Sequence, residues 1–106
     1  MPTEMTDPAR STAEAPASLP DLVLYRRDGC HLCDEARTAL ETVLDARRAR
    51  RLPTPAVVER DIATDPDLER RFGATIPVVE LAGERLELVT SAGRLGRLLA
   101  RVLDDR

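Results

Sequence analysis

The sequence predicts a single α/β domain in the order β-α-β-α-β-β-α, a mixed four-stranded sheet covered by three helices. Three observations carry that prediction. Runs rich in Leu, Val and Ile at Leu22–Tyr25, Ala56–Ile62 and Ile76–Leu81 have the character of strands. The stretches between and after them repeat apolar residues every three or four positions, as one face of a helix does. Ala82-Gly83 joins the third run directly to Arg85–Val89, which makes the last two strands an antiparallel hairpin, whereas the strand-helix-strand opening requires a parallel, right-handed crossover.

Each element follows from its residues. Met1–Pro20 contains Pro2, Pro8, Pro16 and Pro20 with few large apolar side chains, so it cannot offset its own ordering entropy. Residues 1–20 are expected to form a disordered tail, with Met5 as an alternative start, and residues 21–106 the domain. Leu22–Tyr25 is apolar without interruption, as in a strand buried on both faces. A helix is expected from Cys30 or His31 to Arg50, burying Leu32, Ala36, Ala39, Leu40, Val43 and Leu44, until Pro53 and Pro55 forbid continuation.

After the second strand, Asp65-Pro66 has the chemistry of a helix start and Gly73 that of a stop. Leu68 and Phe72, four apart, point together into the core. Pro77 stands at the beginning of the third strand, where a missing N–H is tolerated. Ser91 caps a last helix with the stripe Leu95, Leu98, Leu99, Val102 and Leu103, in which Gly93 and Gly96 weaken the helix but permit close packing on the sheet.

Composition narrows the function. The 106 residues suffice for one core without disulfide staples. A charged fraction of 33% nets to only -3, so no basic field for nucleic acid exists. Tyr25 and Phe72 are the only aromatic residues, which excludes a base-stacking surface and makes the core aliphatic. No apolar run approaches the roughly twenty residues that span a bilayer, and Met1–Pro20 lacks the apolar centre of a signal peptide. A cytoplasmic protein with no membrane or nucleic-acid partner is expected. The basic run Arg47-Arg48-Ala49-Arg50-Arg51 reads as a solvated helix end whose cations meet the dipole, and Asp65, Asp67 and Glu69 read as first-turn helix acids.

The chemistry concentrates in Cys30-His31-Leu32-Cys33, which holds both cysteines of the chain. A strand that runs into a helix whose first turn carries two thiols has the layout of a dithiol redox site. Unpaired N–H groups and the positive end of the helix dipole favour the thiolate of the first cysteine. In a reducing compartment such a pair is catalytic, redox-sensing or metal-binding. A structural zinc site wants about four ligands, and His31, inside the loop, cannot complete one; no metal is expected within one chain.

The strand-loop-CxxC-helix block from Leu22 to Ala36, with Thr75-Ile76-Pro77 opening the third strand, resembles the thioredoxin fold and, more narrowly, small glutaredoxin-like proteins. The resemblance spans about Leu22 to Leu103. It implies a thiol-disulfide oxidoreductase in which Cys30 attacks a substrate disulfide and Cys33 resolves the mixed disulfide. Pro77 would be a cis-proline beside the site, and the backbone groups of Ile76 would be free to pair with an extended substrate. Arg27 matches a position where glutaredoxins often carry a basic residue, which would stabilise the thiolate or contact a carboxylate. The candidate substrate-binding residues are thus Arg27, His31, Thr75, Ile76, Pro77 and Ser91, with Ser91 and Thr90 able to donate to a carboxylate at the last helix.

His31-Leu32 stands where glutaredoxins carry Pro-Tyr, and Val89–Gly93 replaces the Gly-Gly-x-Asp stretch that holds glutathione. The electron donor is therefore open between glutathione, another low-molecular-weight thiol and a thioredoxin-type reductase. The expected partners are a disulfide-containing protein or small thiol substrate and that donor, and the protein is expected to be a monomer without a cofactor. The alternative reading is a non-enzymatic iron–sulfur or metal carrier, with a cluster bridging two subunits, or a redox-sensing adaptor on the same fold.

Overall fold

Leu22–Arg26 (β1) is paired along both edges. The computed structural model describes residues 19–104, so the expected tail lies outside the described residues up to position 18. On one side β1 runs parallel to Val57–Asp61 (β2), with Leu22 opposite Val57 and Tyr25 opposite Arg60. On the other it runs antiparallel to Val78–Leu81 (β3), which continues the sheet into Glu84–Glu87 (β4). The order β2-β1-β3-β4 makes β1 and β3 the inner strands. Their apolar run is buried accordingly, whereas edge strand β2 exposes both valines.

His31–Ala49 (α1) and Ala92–Leu99 (α3) cover one face of the sheet. There Leu22, Leu24, Val79 and Leu81 meet Leu40 and Leu44 of α1 and Leu95, Leu98 and Leu99 of α3. Each leucine so buried stabilises the domain by roughly 1.5–3 kcal/mol. Pro66–Phe72 (α2) covers part of the other face, where Tyr25, Val78, Ile62, Leu68, Phe72, Ile76 and Cys33 form a second cluster. The Tyr25 and Phe72 rings stack with centroids 4.4 Å apart, and the Tyr25 hydroxyl donates to Glu80 Oε1 at 2.9 Å. Burial, and then this bond to a carboxylate, raises the Tyr25 hydroxyl above its ordinary pKa.

Several expected details are corrected. A 3-10 turn at Ile62–Thr64, absent from the sequence reading, precedes α2; Asp61 caps it by accepting from the Ala63 N–H at 2.9 Å. The third strand begins at Val78 and not Ile76, because Ile76 is held at the end of α2. The helix α3 opens into a π turn at Ala100–Asp104. Gly73 does end α2, but with φ -54 and no left-handed cap. Closeness is the reason for glycine there, since a Cβ would lie 2.6 Å from the Glu69 carbonyl oxygen. Gly96 does not pack on the sheet: nothing lies within 4 Å of where its Cβ would be, and it lines an open groove of about 720 Å³ between α1 and α3.

The basic helix end is not uniformly solvated. Arg48, Arg50 and Arg51 are exposed, whereas Arg47 is only 6% exposed. Its position explains the difference, because 47 follows 40, 43 and 44 on the buried stripe. The Arg47 guanidinium satisfies itself there, donating from Nε to the Pro53 carbonyl at 2.8 Å and through a fork to Asp104 at 2.5 and 3.1 Å. The Arg47 hydrogen bonds hold the Asp104 carboxyl below its ordinary range against the pull of desolvation. Arg37 does the same for Glu59, with contacts of 2.8 and 3.0 Å that tie α1 to β2.

Two predictions follow from this packing. Gly96→Ala should stabilise the domain by roughly 0.5–1 kcal/mol through helix propensity, while Gly73→Ala should destabilise it because backbone must move; urea unfolding of both variants checks the opposite signs. Because both carboxyl pKa values are depressed, the two ion pairs contribute fully above the ordinary values of 3.8 and 4.5 and are lost as pH falls below them. The unfolding midpoint should therefore decline in acid below about pH 4, Asp104→Asn should flatten that decline, and Arg47→Ala should lower Tm far more than Arg48→Ala.

Candidate functional site

Where β1 ends, Arg27-Asp28-Gly29 turns the chain onto α1, closed by the Cys30 N–H donating to the Arg27 carbonyl at 3.3 Å. Gly29 adopts φ 77 in open space, so the turn selects glycine for its backbone and not for lack of room. Cys30 is the N-cap of α1. Its extended backbone places the carbonyl to accept from the Asp34 N–H at 3.2 Å and Sγ to accept from the Cys33 N–H at 3.2 Å. A sulfur thus does what a Ser or Asp oxygen does at most helix starts.

Cys33 lies one turn further, with a Cα–Cα distance of 5.2 Å to Cys30, and the two are joined as a disulfide. Their surroundings differ. Cys33 is 1% exposed, enclosed by the cluster of Tyr25, Phe72 and Ile76, while Cys30 is only half-buried against that cluster. Access from solvent is therefore to the Cys30 side of the pair. Among the described residues no three His, Cys, Asp or Glu side chains are grouped to hold a metal. One chain offers two thiolates at most.

The Ile76–Pro77 peptide bond is cis. Ile76 and Pro77 are buried, and Thr75 is partly so. The expectation that both Ile76 backbone groups are free is corrected: its N–H donates to the Phe72 carbonyl at 3.0 Å, and the Thr75 N–H shares that acceptor at 2.9 Å. The cause is local, since Phe72 ends α2 and its carbonyl needs a partner from outside the helix. On the other side the Leu88 N–H donates to the Thr75 carbonyl at 2.9 Å and the Val89 N–H to the Pro77 carbonyl at 3.1 Å.

Leu88 also departs from the expected strand Arg85–Val89. With β4 ending at Glu87, Leu88 takes a left-handed backbone of φ 52, a conformation that costs a non-glycine residue about 1–2 kcal/mol. The kink breaks the alternation of the strand: Val89 enters the core beside Leu86, and Leu88 remains 53% exposed. Leu32, expected on the buried stripe of α1, is likewise 45% exposed. It precedes the first full turn of core contacts at Cys33 and Ala36.

The remaining candidate residues have other partners. The Arg27 guanidinium pairs with Glu69 of α2, Arg26 with Asp28 at 2.5 Å, and Arg37 with Glu59. His31 is 86% exposed and faces Glu35 one turn on, at 3.1 Å. Ser91 is the N-cap of α3, its Oγ accepting from the Arg94 N–H at 3.2 Å. Sequence reasoning passed over Glu69, the Phe72 carbonyl and Leu88. Nothing local marks Glu69 as the partner of Arg27, and Leu88 sat inside an apolar alternation that read as strand.

Comparison with known proteins agrees with this geometry. The model of the glutaredoxin-like domain (DUF836) matches residues 21–102. Among solved structures, the crystal structure of target protein XcR50 from X. campestris is 36% identical, with a TM-score of 0.62, covering 76% of this chain and 96% of that one. Protein Ne2328 from Nitrosomonas europaea is 20% identical with a TM-score of 0.58, covering 80% and 96%. The N-terminal domain of SasA from Synechococcus elongatus is 19% identical with a TM-score of 0.58, covering 89% and 91%. These last two share the fold alone. No curated protein matches the chain. Its four-stranded sheet, three helices and paired cysteines have the thioredoxin-like arrangement, and the chain belongs to the glutaredoxin-like domain family.

Proposed function

We propose that the protein is a thiol-disulfide oxidoreductase whose Cys30–Cys33 pair cycles between dithiol and disulfide. The observation that carries this reading is the half-buried Cys30 sulfur at the N-cap of α1, bonded to an enclosed Cys33 and accepting the Cys33 N–H. In the reduced protein the same N–H and the helix terminus stabilise a Cys30 thiolate. The thiolate attacks one sulfur of a substrate disulfide, forming a mixed disulfide and expelling the other sulfur as a thiolate that takes up a proton. Cys33 then loses its proton and attacks the Cys30 sulfur, which releases the second substrate thiol and closes the Cys30–Cys33 disulfide.

One turn moves two electrons from the dithiol to the substrate, and a thiol donor restores the pair. That donor is a low-molecular-weight thiol such as glutathione or a dithiol reductase. Both sulfurs come from one helix, so a single chain completes the cycle without a cofactor. The family match supports a thiol redox role, and among the described residues no helix is long and apolar enough to cross a membrane.

Alkylation of the Cys33→Ser protein as a function of pH should give a Cys30 thiol below the ordinary value of about 8.5. The pre-reduced wild type should convert a disulfide substrate to thiols with one equivalent of internal disulfide formed. Cys30→Ser should abolish the reaction, and Cys33→Ser should halt at the mixed disulfide, detectable by mass spectrometry. An unshifted Cys30 together with no reduction of any disulfide would overturn the proposal.

A further inference from the structure

Four large apolar residues are exposed on the described surface: Leu32, Val57, Val58 and Leu88. The two valines lie on the outer edge strand β2. The two leucines belong to the cysteine site. Leu32 stands between the cysteines, and Leu88 is stitched by its N–H to the Thr75 carbonyl, on the same loop as the Ile76 that encloses Cys33.

Burying Val89 explains why the chain bends at Leu88, but it does not explain leucine. A left-handed residue facing solvent is the place for glycine or asparagine, which adopt that backbone readily. Among the described residues two other non-glycine residues are left-handed, Arg51 and Ala82, and both sit at the opposite ends of their elements from the cysteines. Among the described residues, Leu88 alone has a large apolar side chain held out in this way.

Charge around the pair gives the complementary information. Arg26, Arg27 and Arg37 are each engaged by carboxylates, while Asp28, Asp34 and Glu35 are exposed. A small anionic thiol would meet no free guanidinium from these three residues. With the Ile76 N–H occupied, an extended chain can use only the Ile76 carbonyl as its backbone partner at that residue. Apolar side-chain contact can then supply a selection that these three arginines do not.

We infer that Leu88, together with Leu32, is a specificity-determining contact that selects polypeptide disulfides flanked by apolar side chains over small anionic disulfides. This inference rests on the oxidoreductase reading above. Packing a substrate leucine against a half-exposed Leu88 removes apolar surface from water on both partners, an effect worth about tenfold in rate.

The test is a single-turnover oxidation, which needs no electron donor. Pre-reduced protein is mixed with two synthetic peptides of equal length, each with one disulfide, flanked in one by leucine and in the other by serine. Acid-quenched samples are read by mass spectrometry for the Cys30–Cys33 disulfide. The wild type should prefer the leucine-flanked peptide about tenfold, Leu88→Gly, which suits the left-handed backbone, should bring the ratio close to one, and Val57→Ser should retain the wild-type ratio. Leu32→Ser should lower the ratio part of the way. A wild-type ratio near one, or a ratio unmoved in Leu88→Gly, overturns the inference while leaving the oxidoreductase intact. If neither peptide nor a small disulfide oxidises the pair, both readings fail together.

Discussion

The pairing of β1 along both its edges is the constraint on which the rest depends. A strand with neighbours on both sides has no free backbone to offer, and because β1 is covered on both faces as well, Leu22–Tyr25 is where the two clusters of the core meet. The end of β1 is consequently a fixed point, and Cys30 stands four residues beyond it at the cap of α1. The antiparallel register of β3 sets Val78 opposite Tyr25, which carries Pro77 and Ile76 to that same end of the sheet. Segments far apart in the chain thereby meet around one pair of sulfurs.

The short helix α2 braces this meeting point in three ways. Its Glu69 carboxylate engages Arg27 on the loop before Cys30, its Phe72 carbonyl receives two N–H groups from the loop before Pro77, and the Phe72 ring stacks on Tyr25 beneath both. Helix α2 is too short to be stable by itself. It is held by Leu68 and Phe72 in the core and by the Asp65 cap, whose side chain accepts from the Asp67 N–H at 2.9 Å.

The polar surroundings of the Cys30 sulfur are backbone more than side chain. Arg26 and Arg27, on the segment leading to Cys30, are already bound to carboxylates, and His31 points to solvent beside Glu35. What faces Cys30 Sγ is the N–H of Cys33 at the start of a helix of 19 residues. A helix terminus is a preorganised source of positive potential that no ion pair quenches, because its partial charges are the unmatched ends of the hydrogen-bond ladder. The remote end of α1 is stabilised differently, by the enclosed Arg47 fork to Asp104.

Much of this architecture could be read from the chain. The order of elements, the caps at Asp65 and Ser91, the CxxC at a helix start and the hairpin at Ala82-Gly83 all depend on residues near one another in sequence, where periodicity and turn chemistry act directly. The burial of Arg47 was also written there, as an extension of the stripe through Leu40, Val43 and Leu44, but its charge obscured the pattern. Other features depend on partners that no local rule names. The pairing of Arg27 with Glu69, the left-handed bend that sends Val89 inward and Leu88 outward, and the absence of any neighbour at Gly96 were settled only when the elements packed. Local sequence determined where the cysteine pair stands, because helix starts and thiols declare themselves within a few positions; tertiary packing decided what surrounds it, because hydrogen bonds and burial are apportioned among groups brought together from distant parts of the chain.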